Sequence, residues 1–187
     1  MKLIEQLRLP YLLKEVKRAG KVEGRNETTA EHTFSTLTLA EYFLKLHPKL
    51  NATKVKQMIL YHDYVEIYAG DTNLLNDKLR EKKYEEEDIA FKKLVKELPK
   101  EIAKDFTKAW KEYSLCKTKE AKFVSALDAL DPMLHSIYQP EEWREHGYTE
   151  EKLRKYKEPR LKEFPKLMKF FNELITELKI KKIIPEN

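Results

Sequence analysis

The sequence is poor in the residues that cross-link a chain or interrupt its regular structure. Its 187 residues include 1 cysteine, 4 glycines and 8 prolines. Because Cys116 is the single cysteine, an intrachain disulfide and a cluster of thiolate metal ligands are both excluded. Apolar runs are also short. None approaches the ~20 residues that span a bilayer, so a membrane is not an expected partner.

A secretory leader and a basic arm are also absent. The N-terminal stretch is amphipathic and too highly charged for the apolar core of a signal peptide, so we expect a cytoplasmic protein. The net charge of +5 favours an acidic ligand such as a phosphate. The basic residues are spread along the chain without an aromatic-basic platform, so nucleic acid is not an expected partner.

Helical periodicity is what the sequence has in abundance. Apolar residues recur with a 3.6-residue rhythm in almost every segment, and the alternation typical of β-strands is absent. The chain is 41% hydrophobic, enough for a core, and its many Lys and Glu residues at helical spacing fit solvated helix faces. No internal repeat or linker is evident. The sequence therefore predicts one all-α domain, a helical bundle over residues 1–187.

Capping residues and prolines mark the expected boundaries. A first helix is predicted over residues 2–18, followed by a loop that contains Gly20 and Gly24. Thr28 has Glu31 three residues later, the spacing of a capping box, so it should begin the second helix. The further helices are predicted at about 52–68 (capped by Asn51 and ending near Gly70), 79–98, 100–114, 119–138 (capped by Thr118 and kinked near Pro132) and 164–179.

One segment, YHDYVEIYAGD at residues 61–71, concentrates groups that bind metals or move protons. Glu66 lies four residues after His62 and three after Asp63, so it shares their face of the helix. Asp71 follows the expected helix end, where the chain turns back over the site. Adjacent residues on a helix diverge by about 100°, so His62 and Asp63 can share one ion only near a helix end or in a wide pocket.

Two residues from other helices complete a candidate metal site. His32 belongs to the second helix, and Asp128 lies in an otherwise apolar helix, where a buried carboxylate is costly unless it is paired or bound to metal. Asp131 is a rival ligand, although its place before Pro132 favours a helix-capping role. Imidazole and carboxylate ligands suit Mn, Fe, Co, Ni or Zn. The other three histidines are interpreted as structural: His47, His135 and His146.

The order of these motifs resembles a known family. The chain carries, in succession, RNETTAEH at 25–32, HDYVEIYAGD at 62–71, YEEEDIA at 84–90 and AKFVSALD at 121–128. This succession resembles the HD-domain superfamily of metal-dependent phosphohydrolases. It is most similar to the 5′-deoxynucleotidase branch, which includes bacterial nucleotidases and eukaryotic HD-domain-containing relatives. The resemblance covers about residues 5–140, and a helical extension over about 149–180 lies beyond it.

The resemblance implies a role for each candidate residue. It implies that one divalent transition metal (Co, Mn, Ni, Fe or Zn) is bound by four ligands: His32, His62, Asp63 and Asp128. Glu66 would be the catalytic acid/base and Asp71 would orient phosphate or water, with a second ion near these two carboxylates in some members. Arg18 and Arg25 match basic positions near the substrate phosphate. The implied reaction is hydrolysis of nucleoside 5′-monophosphates to nucleoside and phosphate by a homodimer.

Some features fall outside what the resemblance implies. Ala19 and Gly20 follow Arg18 where bacterial members have a tryptophan near the ribose 2′ position, and residues 72–78 lack their Pro-rich nucleotide-contacting segment. Deoxyribose selectivity and base preference are therefore left open. The alternative functions are an HD-type phosphodiesterase, a nucleoside-triphosphate hydrolase and a catalytically idle nucleotide-binding module. One apolar face of the last helix is expected to contribute to a dimer interface: Leu167, Phe170, Phe171 and Leu174.

Overall fold

The computed structural model describes residues 1–71 and 77–186, and for residues 77–82 the backbone alone. The polar stretch predicted at 72–78 thus lies largely outside the described residues. The elements, in chain order, are α1 (Leu3–Arg8), a 3₁₀ helix (Leu9–Lys14), β1 (Lys17–Val22), β2 (Arg25–Thr28), α2 (Thr29–Lys45), α3 (Ala52–Tyr61), α4 (Glu66–Ala69), α5 (Asp77–Glu97), α6 (Lys100–Leu115), α7 (Lys119–Tyr138), α8 (Glu141–Glu145), α9 (Glu150–Leu161) and α10 (Pro165–Ile180).

The predicted helix starts are confirmed where a capping side chain marks them. The Thr28 hydroxyl accepts a hydrogen bond from the Glu31 backbone N–H, and the Glu31 carboxylate accepts one from the Thr28 N–H at 2.8 Å. Asn51 and Thr118 likewise accept hydrogen bonds from backbone N–H groups in the first turns of α3 and α7. These bonds satisfy donors that a helix N-terminus leaves without an intrahelical partner.

The predicted helix over residues 2–18 is wrong beyond its first part. α1 ends at Arg8, a 3₁₀ helix follows, and β1 then pairs antiparallel with β2, with Lys17 opposite Thr28. The two residues at the hairpin turn have positive φ angles, 48° at Glu23 and 80° at Gly24, and glycine adopts that conformation without steric cost. The strands are too polar to show apolar alternation, which is why periodicity missed them.

The predicted third helix is divided by the segment that carries the His-Asp pair. α3 ends at Tyr61, residues 62–65 form a turn, and α4 begins at Glu66. The backbone hydrogen bonds in this turn join residues three apart, from Tyr64 N–H to the Tyr61 carbonyl and from Glu66 N–H to the Asp63 carbonyl. The apolar rhythm continues across this turn, so the pattern alone could not reveal it.

α7 lies at the centre of the bundle, in contact with α2, α3, α6, α9 and α10. Its apolar side chains are fully buried: Phe123, Leu127, Leu130 and Met133. The helix continues through Pro132 to Tyr138, so it brings residues on both sides of the proline to one wall of the molecule. Within the described residues, no helix is both long enough and apolar enough to cross a membrane.

α10 does not present the apolar face that the sequence suggested for a dimer interface. Leu167, Phe171 and Leu174 are buried inside this chain, at 3% exposure or less. Phe170 packs on Phe43 of α2, with ring centroids 5.4 Å apart. The expectation was wrong because the single chain already covers this face.

Candidate functional site

A cavity of about 380 Å³ lies among β1, α4, α5, α6, α7 and α9. Its lining includes three of the predicted metal ligands, His62, Asp63 and Asp128, together with both predicted catalytic carboxylates. A concave site of this size with convergent polar groups is the usual form of a small-molecule binding site.

Four ligand atoms converge at one end of the cavity, and they come from three separate parts of the chain. His32 Nε2 lies 3.2 Å from Asp128 Oδ1 and 3.7 Å from Asp63 Oδ2. His62 Nε2 lies 3.1 Å from Asp63 Oδ2 and 3.9 Å from Asp128 Oδ1. Atoms that bind one ion at about 2.1 Å are themselves about 3–4 Å apart. The ligand atoms of His32, His62 and Asp63 all lie within 4.8 Å of one another and could share a metal, and Asp128 Oδ1 lies beside both imidazoles.

The turn after α3 explains how neighbouring residues reach the same point. His62 closes the last turn of α3, and its N–H donates to the Met58 carbonyl at 2.8 Å. Asp63 lies beyond the helix end, where the chain no longer follows the helical rotation. His32 reaches the same place from the first turn of α2, which the Thr28 capping box fixes.

The outer nitrogen of each imidazole is committed to a hydrogen bond. His62 Nδ1 donates to the Ile59 carbonyl at 2.7 Å, and His32 Nδ1 donates to Asp131 Oδ2 at 2.7 Å. Each Nε2 then faces the carboxylates of Asp63 and Asp128, where a bound metal would take its lone pair. Metal-binding histidines are oriented by such bonds to carbonyl or carboxylate groups.

Two atoms of the cluster lack the partners that burial normally demands. His62 Nε2 and Asp63 Oδ2 are buried and have no hydrogen-bond partner among the described residues. Leaving such groups unsatisfied costs about 1–3 kcal/mol each, and more when the group is charged. A divalent cation would satisfy both atoms, so the residues present fit a metal.

Asp131 has a role that the sequence did not assign. It is 3% exposed and lies in the middle of α7, so the predicted capping role is wrong. Its carboxylate instead holds His32 in place. Asp128 points at the cluster through Oδ1, and although burial opposes its charge, His32, His62 and Arg160 hold the pKa of this carboxyl well below its usual range.

The two predicted catalytic carboxylates lie together around Arg18. Arg18 Nη1 is 3.3 Å from Asp71 Oδ1 and 4.0 Å from Glu66 Oε2. Glu66 is only 2% exposed and accepts a hydrogen bond from the Thr29 hydroxyl at 2.8 Å. Burial, reinforced by the charges of Asp63 and Asp71, raises the pKa of Glu66 well above its usual range despite Arg18. These surroundings favour the protonated form of the Glu66 carboxyl group.

Arg25, the other predicted phosphate contact, is not brought into the site. It lies outside the cavity wall, its side chain is 55% exposed, and it pairs with Glu31. The hairpin accounts for this placement. Arg18 and Arg25 are on different strands, and Arg25 is next to the turn, away from the end of the hairpin that holds Arg18 over the carboxylates.

Several residues of the cavity were missed by sequence reasoning. Tyr113 donates to Asp128 Oδ2 at 3.2 Å, and Arg160 Nη1 lies 3.3 Å from the same oxygen. Lys157, one turn before Arg160 on α9, donates to the Ala129 carbonyl at 2.9 Å. In the sequence, these basic residues belong to a charged helical segment that looks like any solvated face, so no local signal distinguished them.

His135, for which the sequence predicts only a structural role, lies in the wall of the cavity. Its Nε2 donates to the Lys21 carbonyl at 2.8 Å, which ties α7 to β1. A side chain at Gly20 would approach His135 Nε2 to 3.3 Å, so the strand passes close to this ring. The buried Glu27 carboxylate lies between this ring and Arg18, with Oε1 3.6 Å from His135 Nδ1 and Oε2 3.6 Å from Arg18 Nε.

This arrangement of ligands and helices defines a family. A model of the HD domain matches residues 12–168, and the chain belongs to the HD-domain family. A solved structure of a predicted metal-dependent phosphohydrolase from Magnetospirillum magnetotacticum MS-1 has a TM-score of 0.82 and 30% identity, and the match covers 97% of each chain. An HD-domain phosphohydrolase from Listeria innocua, at 21% identity and a TM-score of 0.71 over 98% of this chain and 92% of its own, shares the fold.

Curated relatives of the chain carry the name of the branch that the motifs resemble. The 5′-deoxynucleotidase HDDC2 of Bos taurus is 31% identical over 137 residues, and that of Homo sapiens is 30% identical over 137 residues. These matches cover 72% of this chain and 66% of each relative, so the chain spans just under two thirds of their length. The resemblance to the 5′-deoxynucleotidase branch is thereby confirmed.

Proposed function

We propose that this protein is a metal-dependent phosphomonoesterase that hydrolyses ribo- or deoxyribonucleoside 5′-monophosphates to nucleoside and phosphate. The observation that carries the proposal is the convergence of ligand atoms from His32, His62, Asp63 and Asp128 beside the buried carboxyl group of Glu66. The names of the curated relatives support the same substrate class.

The ligand set favours one divalent transition metal, Co, Mn, Ni, Fe or Zn. When bound, such an ion polarises a phosphoryl oxygen and acidifies water. His32 and His62 would offer neutral nitrogens, and Asp63 and Asp128 would offer charged oxygens. A second ion near Glu66 and Asp71 is disfavoured because the Arg18 guanidinium already lies between those carboxylates.

The chain's own groups would handle the protons and the orientation. Glu66 would donate its proton to the leaving 5′-oxygen, which removes the cost of expelling an alkoxide. Asp71 holds the Arg18 guanidinium at 3.3 Å, and that guanidinium faces both Asp63 and Glu66. Arg18 would therefore hold the carboxyl groups of Asp63, Glu66 and Asp71 in position as the substrate phosphate approaches.

A substrate panel tests the proposal. Phosphate release would be measured from deoxyribonucleoside and ribonucleoside 5′-monophosphates, from deoxyribonucleoside triphosphates and from cyclic nucleotides, each with Co, Mn, Ni, Fe and Zn. We expect turnover of the monophosphates. Turnover confined to triphosphates or cyclic nucleotides would favour the triphosphate hydrolase or the phosphodiesterase, and no turnover with any ion would favour an idle module.

We also propose a cytoplasmic homodimer, the assembly that the family resemblance implies. Because the apolar face of α10 is buried, the interface must lie elsewhere. α1 has no buried residue and exposes a set of large apolar side chains: Leu3, Ile4 and Leu7. An exposed apolar group of this kind commonly marks an interaction surface.

A further inference from the structure

Two basic side chains of α9 lie in the cavity wall beside Asp128. Lys157 and Arg160 are three residues apart and therefore share one face of the helix. Arg160 Nη1 is 3.3 Å from Asp128 Oδ2, on the side of the carboxylate that faces away from the histidines. Lys157 donates one of its three N–H groups to the Ala129 carbonyl at 2.9 Å, so two donor directions are left over.

Arg18 is poorly suited to receive an anion. Its guanidinium lies within 4.0 Å of four carboxylates: Glu27, Asp63, Glu66 and Asp71. Even with Glu66 protonated, three negative charges offset its single positive charge before any ligand arrives. A phosphate brought to Arg18 would therefore meet a surplus of negative charge unless another cation were present.

Lys157 is in the opposite situation. Within the part of the chain whose side chains are described, it forms no ion pair with a carboxylate, and it donates instead to the neutral Ala129 carbonyl. Burial and the charge of Arg160 lower the pKa of Lys157 to about 8, as expected of an ammonium group without its own counter-ion. Asp128, whose charge acts on Lys157, is already in contact with Arg160, Tyr113 and His32.

We propose that Lys157 and Arg160 bind the phosphoryl oxygens of the substrate and of the product phosphate, so that α9 supplies the anion site of this cavity. This inference rests on the proposed function. The arginine offers a planar fork and the lysine a compact charge, and both are ordinary phosphate ligands. The substrate class is a small phosphate monoester, since the site provides two cations for one dianionic group.

The test compares Lys157→Met with Lys155→Met, an exposed lysine on the same helix with the same change of charge. Binding of inorganic phosphate to the metal-loaded full chain would be measured by calorimetry. KM and kcat would be measured with a nucleoside monophosphate as substrate. We expect Lys157→Met to weaken phosphate binding and raise KM by about tenfold or more, with a smaller change in kcat. Lys155→Met should match the wild type, and Lys157→Arg should restore most of the affinity.

Two further measurements keep the result interpretable. Metal content and thermal unfolding would show whether Lys157→Met remains folded and loaded, and Lys157→Gln provides a second neutral variant. If both neutral variants are folded and bind phosphate as the wild type does, the inference is overturned and Lys157 merely fastens α9 to α7. If the wild type hydrolyses no nucleotide but binds phosphate through Lys157, the proposed reaction fails while the anion site stands.

Discussion

At the residue scale, the chemistry of the site depends on which buried polar groups have a hydrogen-bond partner and which do not. Glu66 is buried, accepts a hydrogen bond from the Thr29 hydroxyl and lies near the charges of Asp63 and Asp71, so its pKa is raised despite Arg18. Asp63 lies next to it with one oxygen that has no hydrogen-bond partner among the described residues. We therefore propose different roles for two carboxylates that are three residues apart, Glu66 as a proton donor and Asp63 as a metal ligand.

The role of Glu66 predicts a loss of turnover without loss of metal. In Glu66→Gln, the side chain can still accept the Thr29 hydrogen bond but cannot transfer a proton. We expect kcat to fall by about 10²–10⁴-fold, the usual contribution of general acid–base catalysis. Metal analysis of the purified variant should match the wild type, and Glu158→Gln on α9 serves as an isosteric control. Turnover close to that of the wild type would show that Glu66 is not the acid.

The two acids of α7 predict different effects on metal binding. Asp128→Asn removes a charged ligand and should leave the purified protein well below one ion per chain. Asp131→Asn keeps an acceptor for His32, so it should weaken metal affinity by about 10–100-fold, as changes to partners of metal-binding histidines do. Metal titration of both variants measures the difference. Full metal occupancy in Asp128→Asn would mean that another group, Asp131 among them, is the ligand.

At the scale of elements, capping residues predicted where helices begin, because a cap depends on residues close together in the sequence. The caps at Thr28, Asn51 and Thr118 depend on residues three positions apart, and each was visible in the sequence. The hairpin was not visible, because its strands are polar and are stabilised by pairing with each other and by contacts with α7 and α8. The break after α3 was also hidden, since the apolar rhythm continues across it.

The sequence likewise predicted some residues of the site and not others. His32, His62, Asp63 and Asp128 were recognised from their motifs, and the structure brings all four together. The α9 residues were missed because their contact with Asp128 depends on long-range packing of α9 against α7, which no spacing encodes. Arg25 was assigned to the phosphate by its motif alone, without knowledge that the hairpin directs it to Glu31.

The hairpin turn predicts a measurable conformational cost. Gly24 has a φ of 80° and no atom within 4 Å of where a Cβ would lie, so substitution there tests backbone conformation alone. Gly24→Ala should lower the free energy of unfolding by about 1 kcal/mol, because an L-residue is strained in the left-handed region. Gly24→Asn should cost less, since asparagine tolerates that region. Denaturant unfolding of the wild type and the two variants would measure these differences in the free energy of unfolding. Equal stability of the three proteins would argue against a positive φ at Gly24.

At the scale of the whole molecule, the surface decides how copies of the chain can associate. α10 gives its apolar face to the core, whereas α1 leaves Ile4 76% exposed and Leu7 46% exposed. α1 leads directly into the 3₁₀ helix, which contacts α2 and α4 next to the site. The described residues that line the cavity include none from α1, so an interface through α1 would leave the cavity open.

This surface predicts an assembly state that mutation can change. The wild type should have the mass of a dimer by light scattering at micromolar concentration, and the double variant Ile4→Asp, Leu7→Asp should have the mass of a monomer. Burying two carboxylates in an apolar interface is strongly unfavourable, whereas on a free surface the same changes cost little. Ile89→Asp on α5 is the matched control, because Ile89 is 67% exposed yet distant in sequence from α1, and it should remain dimeric. A wild type that is monomeric under these conditions would reject the homodimer, and a dimer that survives the double variant would place the interface away from α1.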